Sequence, residues 1–227
     1  MINILDAIKQ SLIKLNKEAS KGKINKLENG TKVHRGRSPS LSSFFEFTLA
    51  EELSKAYPNY NFYVDYPIRL LDENDISIKT KGQSINPDIM ISDKENKILK
   101  AIIEIKIDIG YIDVNREKLS KRDSYLKQAK KIKFNLIVGA YSDKEKEKNE
   151  TIYLGVPSKL RKIAIIVTAK NHYHNKDEFE EILKEKGYTP IFLLESTHFN
   201  TINDISKEID KAVEKKRELI LRTFGGI

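Results

Sequence analysis

Two isoleucine-rich runs around a short charged break, over residues 86–107, constrain this chain more than any other feature. The first reads Asn-Pro-Asp-Ile-Met-Ile-Ser, the break Asp-Lys-Glu-Asn-Lys, and the second Ile-Leu-Lys-Ala-Ile-Ile-Glu-Ile-Lys-Ile. Apolar, β-branched runs flanking a polar turn read as an antiparallel hairpin. Alternate side chains of a strand share a face, so Ile103, Ile105 and Ile107 lie together, with Glu104 and Lys106 on the other side. Asp88, between Pro87 and Ile89 on the first strand, comes beside Glu104 in a suitable register. Two carboxylates and a lysine then project from adjacent strands of a mostly apolar sheet. Charges are rarely put there without a partner or a metal.

These residues, Pro87-Asp88 on one strand and Glu104-Ile105-Lys106 on the next, resemble the signature of the PD-(D/E)XK nuclease superfamily. Glu-x-Lys alone is weak in so lysine-rich a chain, since it occurs at Glu95–Lys97, Glu104–Lys106 and Glu214–Lys216. Pro-Asp occurs once, and only Glu104–Lys106 follows it in an apolar, strand-like run. The resemblance covers roughly residues 40–140. It implies an α/β fold with a restriction-endonuclease-like core, a central mixed β-sheet flanked by helices, here with helical additions at both termini. It further implies a Mg²⁺-dependent endonuclease leaving a 5′-phosphate and a 3′-hydroxyl. In that reading Asp88, Glu104 and the backbone carbonyl of Ile105 hold the metal, and Lys106 sits by the attacking water. A type II restriction endonuclease acting on double-stranded DNA as a homodimer is the leading expectation. A repair or junction-resolving nuclease and a non-catalytic nucleic-acid-binding module on the same fold are the alternatives.

The rest of the chain is compatible with this. Lysine and arginine number 41 against 33 acidic residues, a net charge of +8 that suits a phosphate-bearing partner, although lysine-rich composition alone has blander origins. There are no cysteines, hence no disulfide frame and no thiolate zinc site. No apolar run is long enough to span a membrane and the N-terminus lacks a signal-peptide pattern, so a cytoplasmic protein is expected. One domain is expected: an N-terminal helix and basic arm over 1–37, an α/β core over 38–200 and a C-terminal helix over 201–227.

In order, residues 3–18 carry Ile4, Leu5, Ile8, Leu12 and Leu15 at helical spacing. Residues 20–40 read as a linker, whose Arg35 and Arg37 either contact DNA or belong to a solvated loop. A helix follows over 39–57. In it Ser43 and Glu46 have capping-box spacing, and Ser38-Pro39 is an equally good start. The resemblance makes Glu46 a further carboxylate of the metal site; a cap or surface role is the alternative. Residues 60–71 read as the first strand, with Pro67 marking an edge, bulge or bend, and 72–84 as a polar loop.

After the hairpin a basic helix is expected over 115–133, with Arg116, Arg122 and Gln128 as candidate DNA contacts or as a solvated face. The strand over 134–141 is expected to continue the sheet, and 142–150 to be an exposed loop. Short strands at 152–156, 163–168 and 190–194, a helix at 177–186 and a final helix at 203–222 complete the reading. His172 and His174 have metal-ligand spacing but lack a third ligand, so a polar loop is preferred.

Overall fold

The computed structural model describes residues 3–20, 24–26, 32–34, 41–78, 85–107, 123–138, 148–168, 176–194 and 205–225. The chain opens with α1 (Ile4–Ser20), a short antiparallel pair β1 (Ile24–Lys26) and β2 (Lys32–His34), and α2 (Leu41–Ala56). Strands β3 (Tyr60–Val64), β4 (Arg69–Leu71), β5 (Ile89–Asp93) and β6 (Leu99–Lys106) follow. Helix α3 is described over 123–128, then β7 (Lys131–Val138), β8 (Lys148–Gly155) and β9 (Arg161–Thr168). The C-terminal part is α4 (Lys176–Glu185), β10 (Tyr188–Leu194), α5 (Ile205–Lys215) and α6 (Arg217–Phe224).

The fold is mixed α/β. A five-stranded sheet runs β10-β9-β6-β5-β3, with β10, β9 and β6 parallel and β6, β5 and β3 antiparallel. A second sheet has the order β4-β7-β8, all antiparallel. Helices α1, α2, α5 and α6 cover one face of the five-stranded sheet. There Ile8, Leu12, Phe45 and Leu49 meet Ile89, Ile91, Ile103 and Ile105, closed by Val213 and Phe224. On the other face Met90, Leu99 and Ile102 pack against Leu126 of α3 and Ile132, Phe134 and Leu154 of the second sheet. Helix α4 covers the neighbouring part through Phe179, Ile182 and Leu183 on Ile166 and Phe192. Because both faces of β6 and β9 are covered, each is an almost unbroken run of buried residues, 101–105 in β6 and 163–168 in β9, rather than an alternating one. Each isoleucine so buried contributes roughly 1.5–3 kcal/mol relative to exposure.

Local chemistry sets the boundaries. Asn3 starts α1: its side-chain oxygen accepts the Asp6 N–H at 3.0 Å, and Asp6 reaches back to the Asn3 N–H at 3.4 Å. Gly187 turns the chain from α4 into β10 at φ 71°, where a Cβ would also come within 3.1 Å of the Lys162 ammonium.

Several expectations are corrected. Residues 60–71 form two strands in two different sheets. Asp65, at φ 53°, and Pro67 break the extended run after Val64. The strand after the crossover, β7, lies not in the five-stranded sheet but in the second one, beside β4 and β8. Its alternation explains why: Ile132, Phe134 and Leu136 face the core while Lys131, Lys133 and Asn135 point away, as suits a sheet with one solvated face. The parallel neighbour of β6 is instead the continuously apolar β9.

The basic helix stops before Lys131 rather than at Lys133, and the loop expected over 142–150 is already strand from Lys148. The segment 20–40 contains the β1–β2 pair. The last helix is interrupted at Lys216, whose backbone (φ −103°, ψ 6°) departs from the helical path. Ser43 lies inside α2 rather than at its N-cap, so it does not begin a capping box. No helix among the described residues is long and apolar enough to cross a membrane.

Candidate active site

The hairpin forms in the register that the apolar pattern requires. Ile89 faces Ile103 and Met90 faces Ile102 across β5 and β6, so one step further Asp88 stands opposite Glu104. One Asp88 carboxylate oxygen accepts the Ile105 N–H at 2.5 Å, which ties the side chain to the backbone between Glu104 and Lys106. Charge-assisted bonds of this kind are short and strong. Glu104 is buried, whereas Asp88 and Lys106 are half-buried. Ile103 and Ile105 point into the helical side of the core, which leaves Glu104 and Lys106 on the opposite face, as strand alternation dictates.

Helix α2 adds Glu46, only 7 % exposed. The Ser42 hydroxyl donates to one of its carboxylate oxygens at 2.7 Å. Burial raises the Glu46 carboxyl above the ordinary range, and the charges of Asp88 and Asp65 push the same way. The Ser42 hydrogen bond and Lys106 oppose them without prevailing. These couplings put Glu46, Asp65, Asp88 and Lys106 in one electrostatic neighbourhood.

Asp65 is the residue that sequence reasoning missed. It is exposed at the end of β3, and its N–H donates to the Asp88 carbonyl at 3.0 Å. The left-handed turn that brings it there is one that Asp tolerates better than most residues. The available signal was an acidic residue at the bend before Pro67, on the strand adjoining Pro87-Asp88.

Gln128 does not join this group. Gln128 is exposed on α3 and its amide donates back to the Ser124 carbonyl at 3.2 Å. Arg35, Arg37, Arg116, Arg122, His172 and His174 lie outside the described residues.

The donor set is all oxygen, which suits a hard divalent cation. Among the described residues no three Asp, Glu, His or Cys side chains converge closely enough to cage a metal by themselves. Two carboxylates and a backbone carbonyl, completed by water, remain compatible with Mg²⁺, which usually keeps several waters and is held by one or two carboxylates. The residue types suit a hard cation, and Lys106 shares a strand face with Glu104. Comparison with protein-family models, with curated proteins and with solved structures finds no match to this chain.

Proposed function

We propose that this chain is a Mg²⁺-dependent endonuclease of the PD-(D/E)XK type, acting on double-stranded DNA. The observation that carries the reading is the pairing of β5 with β6, which sets Asp88 against the Glu104–Lys106 segment and bonds its carboxylate to the Ile105 N–H. The order α2, β3, β5, β6 and a mixed sheet with helices on its face support it, being compatible with the core that the resemblance implies. So does the net charge of +8.

In this reading Asp88, Glu104 and the Ile105 carbonyl hold the metal, with Glu46 as a further acidic group behind them. When bound, Mg²⁺ supplies Lewis-acid polarisation of the phosphate and a lowered pKa for a coordinated water. Lys106 orients the attacking water and offsets the negative charge that builds on the phosphate oxygens. The Ile105 N–H fixes the Asp88 carboxylate so that little reorganisation accompanies the reaction. Restriction-type cutting of both strands calls for two copies on a symmetric site.

The test is digestion of a mixed DNA library with Mg²⁺, with EDTA, and with Lys106→Ala. Discrete fragments that vanish in both controls establish a sequence-specific metallonuclease. Structure-selective or smeared cutting moves the assignment to repair, and binding without metal-dependent cutting leaves a DNA-binding module.

A further inference from the structure

We propose that the outer face of the β4-β7-β8 sheet is a second contact surface for the nucleic acid, gripping its phosphate backbone beside the candidate site. This inference rests on the nucleic-acid partner of the preceding reading but not on its chemistry.

The register of the second sheet lines up Arg69, Lys133 and Tyr153 in one row across all three strands, with Asn135 opposite Thr151 in the next. Period-two alternation turns this set away from the core, which takes Ile132, Phe134 and Leu154 instead. Pro67, Arg69, Lys133, Asn135 and Thr151 line a groove of about 540 Å³ on this face. Arg69, Asn135 and Thr151 are exposed, Lys133 is half-buried with its ammonium 5.3 Å from the Tyr153 ring, and Tyr153 is 46 % exposed.

Charge suits this groove to phosphate. Among the described residues neither Arg69 nor Lys133 pairs with a carboxylate, whereas neighbouring Lys131 is neutralised by Asp75 at 2.8 Å. Two cations without counter-charges, in a concave surface, are complementary to successive phosphates. The Thr151 hydroxyl donates to the Asn135 side-chain oxygen at 3.3 Å, which leaves the Asn135 amide hydrogens to donate outward. Such contacts to phosphate oxygens fix register without reading sequence.

Position completes the argument. Arg69 follows Asp65 by four residues, and Asp65 is bonded to Asp88. Four residues span at most about 14 Å, or roughly four base steps at 3.4 Å each along one strand. A strand that passes Asp88 and Glu104 therefore has neighbouring phosphates within reach of this groove.

The experiment is duplex DNA binding by fluorescence anisotropy in EDTA, across a salt series, for the native chain, Arg69→Ala/Lys133→Ala, Lys131→Ala and Arg69→Lys/Lys133→Arg. Each lost phosphate contact lowers the steepness of log K against log salt by about 0.9. The double alanine variant should therefore lose about 1.8 in slope, and roughly ten- to a hundredfold in affinity near 0.1 M salt. Lys131→Ala and the charge-conserving variant should stay close to native. Circular dichroism melting shows that each variant is folded.

An unchanged slope in a folded double alanine variant overturns the inference. If the native chain still cuts DNA in that case, the nuclease reading stands without this surface. A reduced slope with no metal-dependent cutting keeps the surface and sinks the nuclease. No duplex binding by the native chain overturns the inference outright.

Discussion

Buried carboxylates occur in two kinds of surroundings in this molecule. Glu52, 4 % exposed, sits between the ammonium groups of Lys14 at 2.8 Å and Lys55 at 2.7 Å. Asp123, 6 % exposed, sits between Lys127 at 2.7 Å and the half-buried Lys162. In each, burial alone would raise the carboxyl, and the paired lysines outweigh it and hold the group below its ordinary range. Glu46 is as deeply buried, yet it shares its corner with Asp88 and Asp65, and it moves the other way. Where a carboxylate serves only structure, the chain closes it with its own cations. At the Glu46 corner burial and the carboxylates of Asp88 and Asp65 raise the group and the half-buried Lys106 only partly offsets them, and perturbation of this kind is what functional sites tend to show.

The largest effect that sharpens this contrast is on chemistry. Lys106→Ala should lower metal-dependent DNA cleavage by on the order of a thousandfold, about 4 kcal/mol of transition-state stabilisation, while the urea midpoint stays near native. Asp88→Asn should do the same, because the amide oxygen can still accept the Ile105 N–H and so preserves the hairpin. Asp88→Ala is a poorer test, since it strands that N–H at a cost of about 1–3 kcal/mol. Full activity in both Lys106→Ala and Asp88→Asn would remove the functional half of the comparison.

The structural half is broken at Asp123. Asp123→Ala leaves the half-buried Lys162 without this carboxylate, with the Lys186 carbonyl at 2.5 Å and the Tyr188 ring as its remaining partners among the described residues. Removing one member of a buried pair costs about 3–5 kcal/mol. Urea unfolding should show a loss of that size with cleavage retained in the folded fraction. A change under about 1 kcal/mol would mean that the pair is screened like a surface one.

Much of this was readable before any coordinates, and the reasons are physical. The hairpin was legible because register is pinned where side chains must be sorted between faces: a one-residue slip would turn Glu104 and Lys106 into the helical side of the core in place of Ile103 and Ile105. The partition of strands between two sheets was not foreseen. β7 and β9 both read as strands, and the difference lies in alternation against continuity, a signal present in Lys131–Val138 but easily passed over. The split at Asp65 was hidden for a similar reason, since aromatic and β-branched residues on both sides suggested one strand. Glu46 was named from its place before the sheet, while its approach to Asp88 depends on how α2 docks, which no local pattern encodes. Asp65 was missed because a left-handed turn, not a strand position, brings it there.

The smallest effect is the pH dependence of stability, and here the two kinds of carboxylate have opposite signs. For Glu52 and Asp123 the folded pKa lies below the unfolded one. Their stabilisation is present above the unfolded value and lost as pH falls through the folded one. For Glu46 the folded pKa lies above the unfolded one, so the folded state binds the extra proton between the two. Stability then falls as pH rises through that window, and the full penalty persists above it. Glu46→Gln keeps an acceptor for Ser42 and removes the charge. It should therefore be slightly more stable than the native chain at pH 7, by under about 1 kcal/mol, with the difference vanishing below the ordinary carboxylate range. Thermal melts at several pH values, with and without Mg²⁺, decide the matter. Mg²⁺ should raise the native midpoint more than that of Glu46→Gln, because a cation relieves the repulsion that the substitution has already removed. Equal pH profiles for the two proteins would show that Glu46 binds its proton alike in the folded and unfolded chain, and the contrast between the two surroundings would fail.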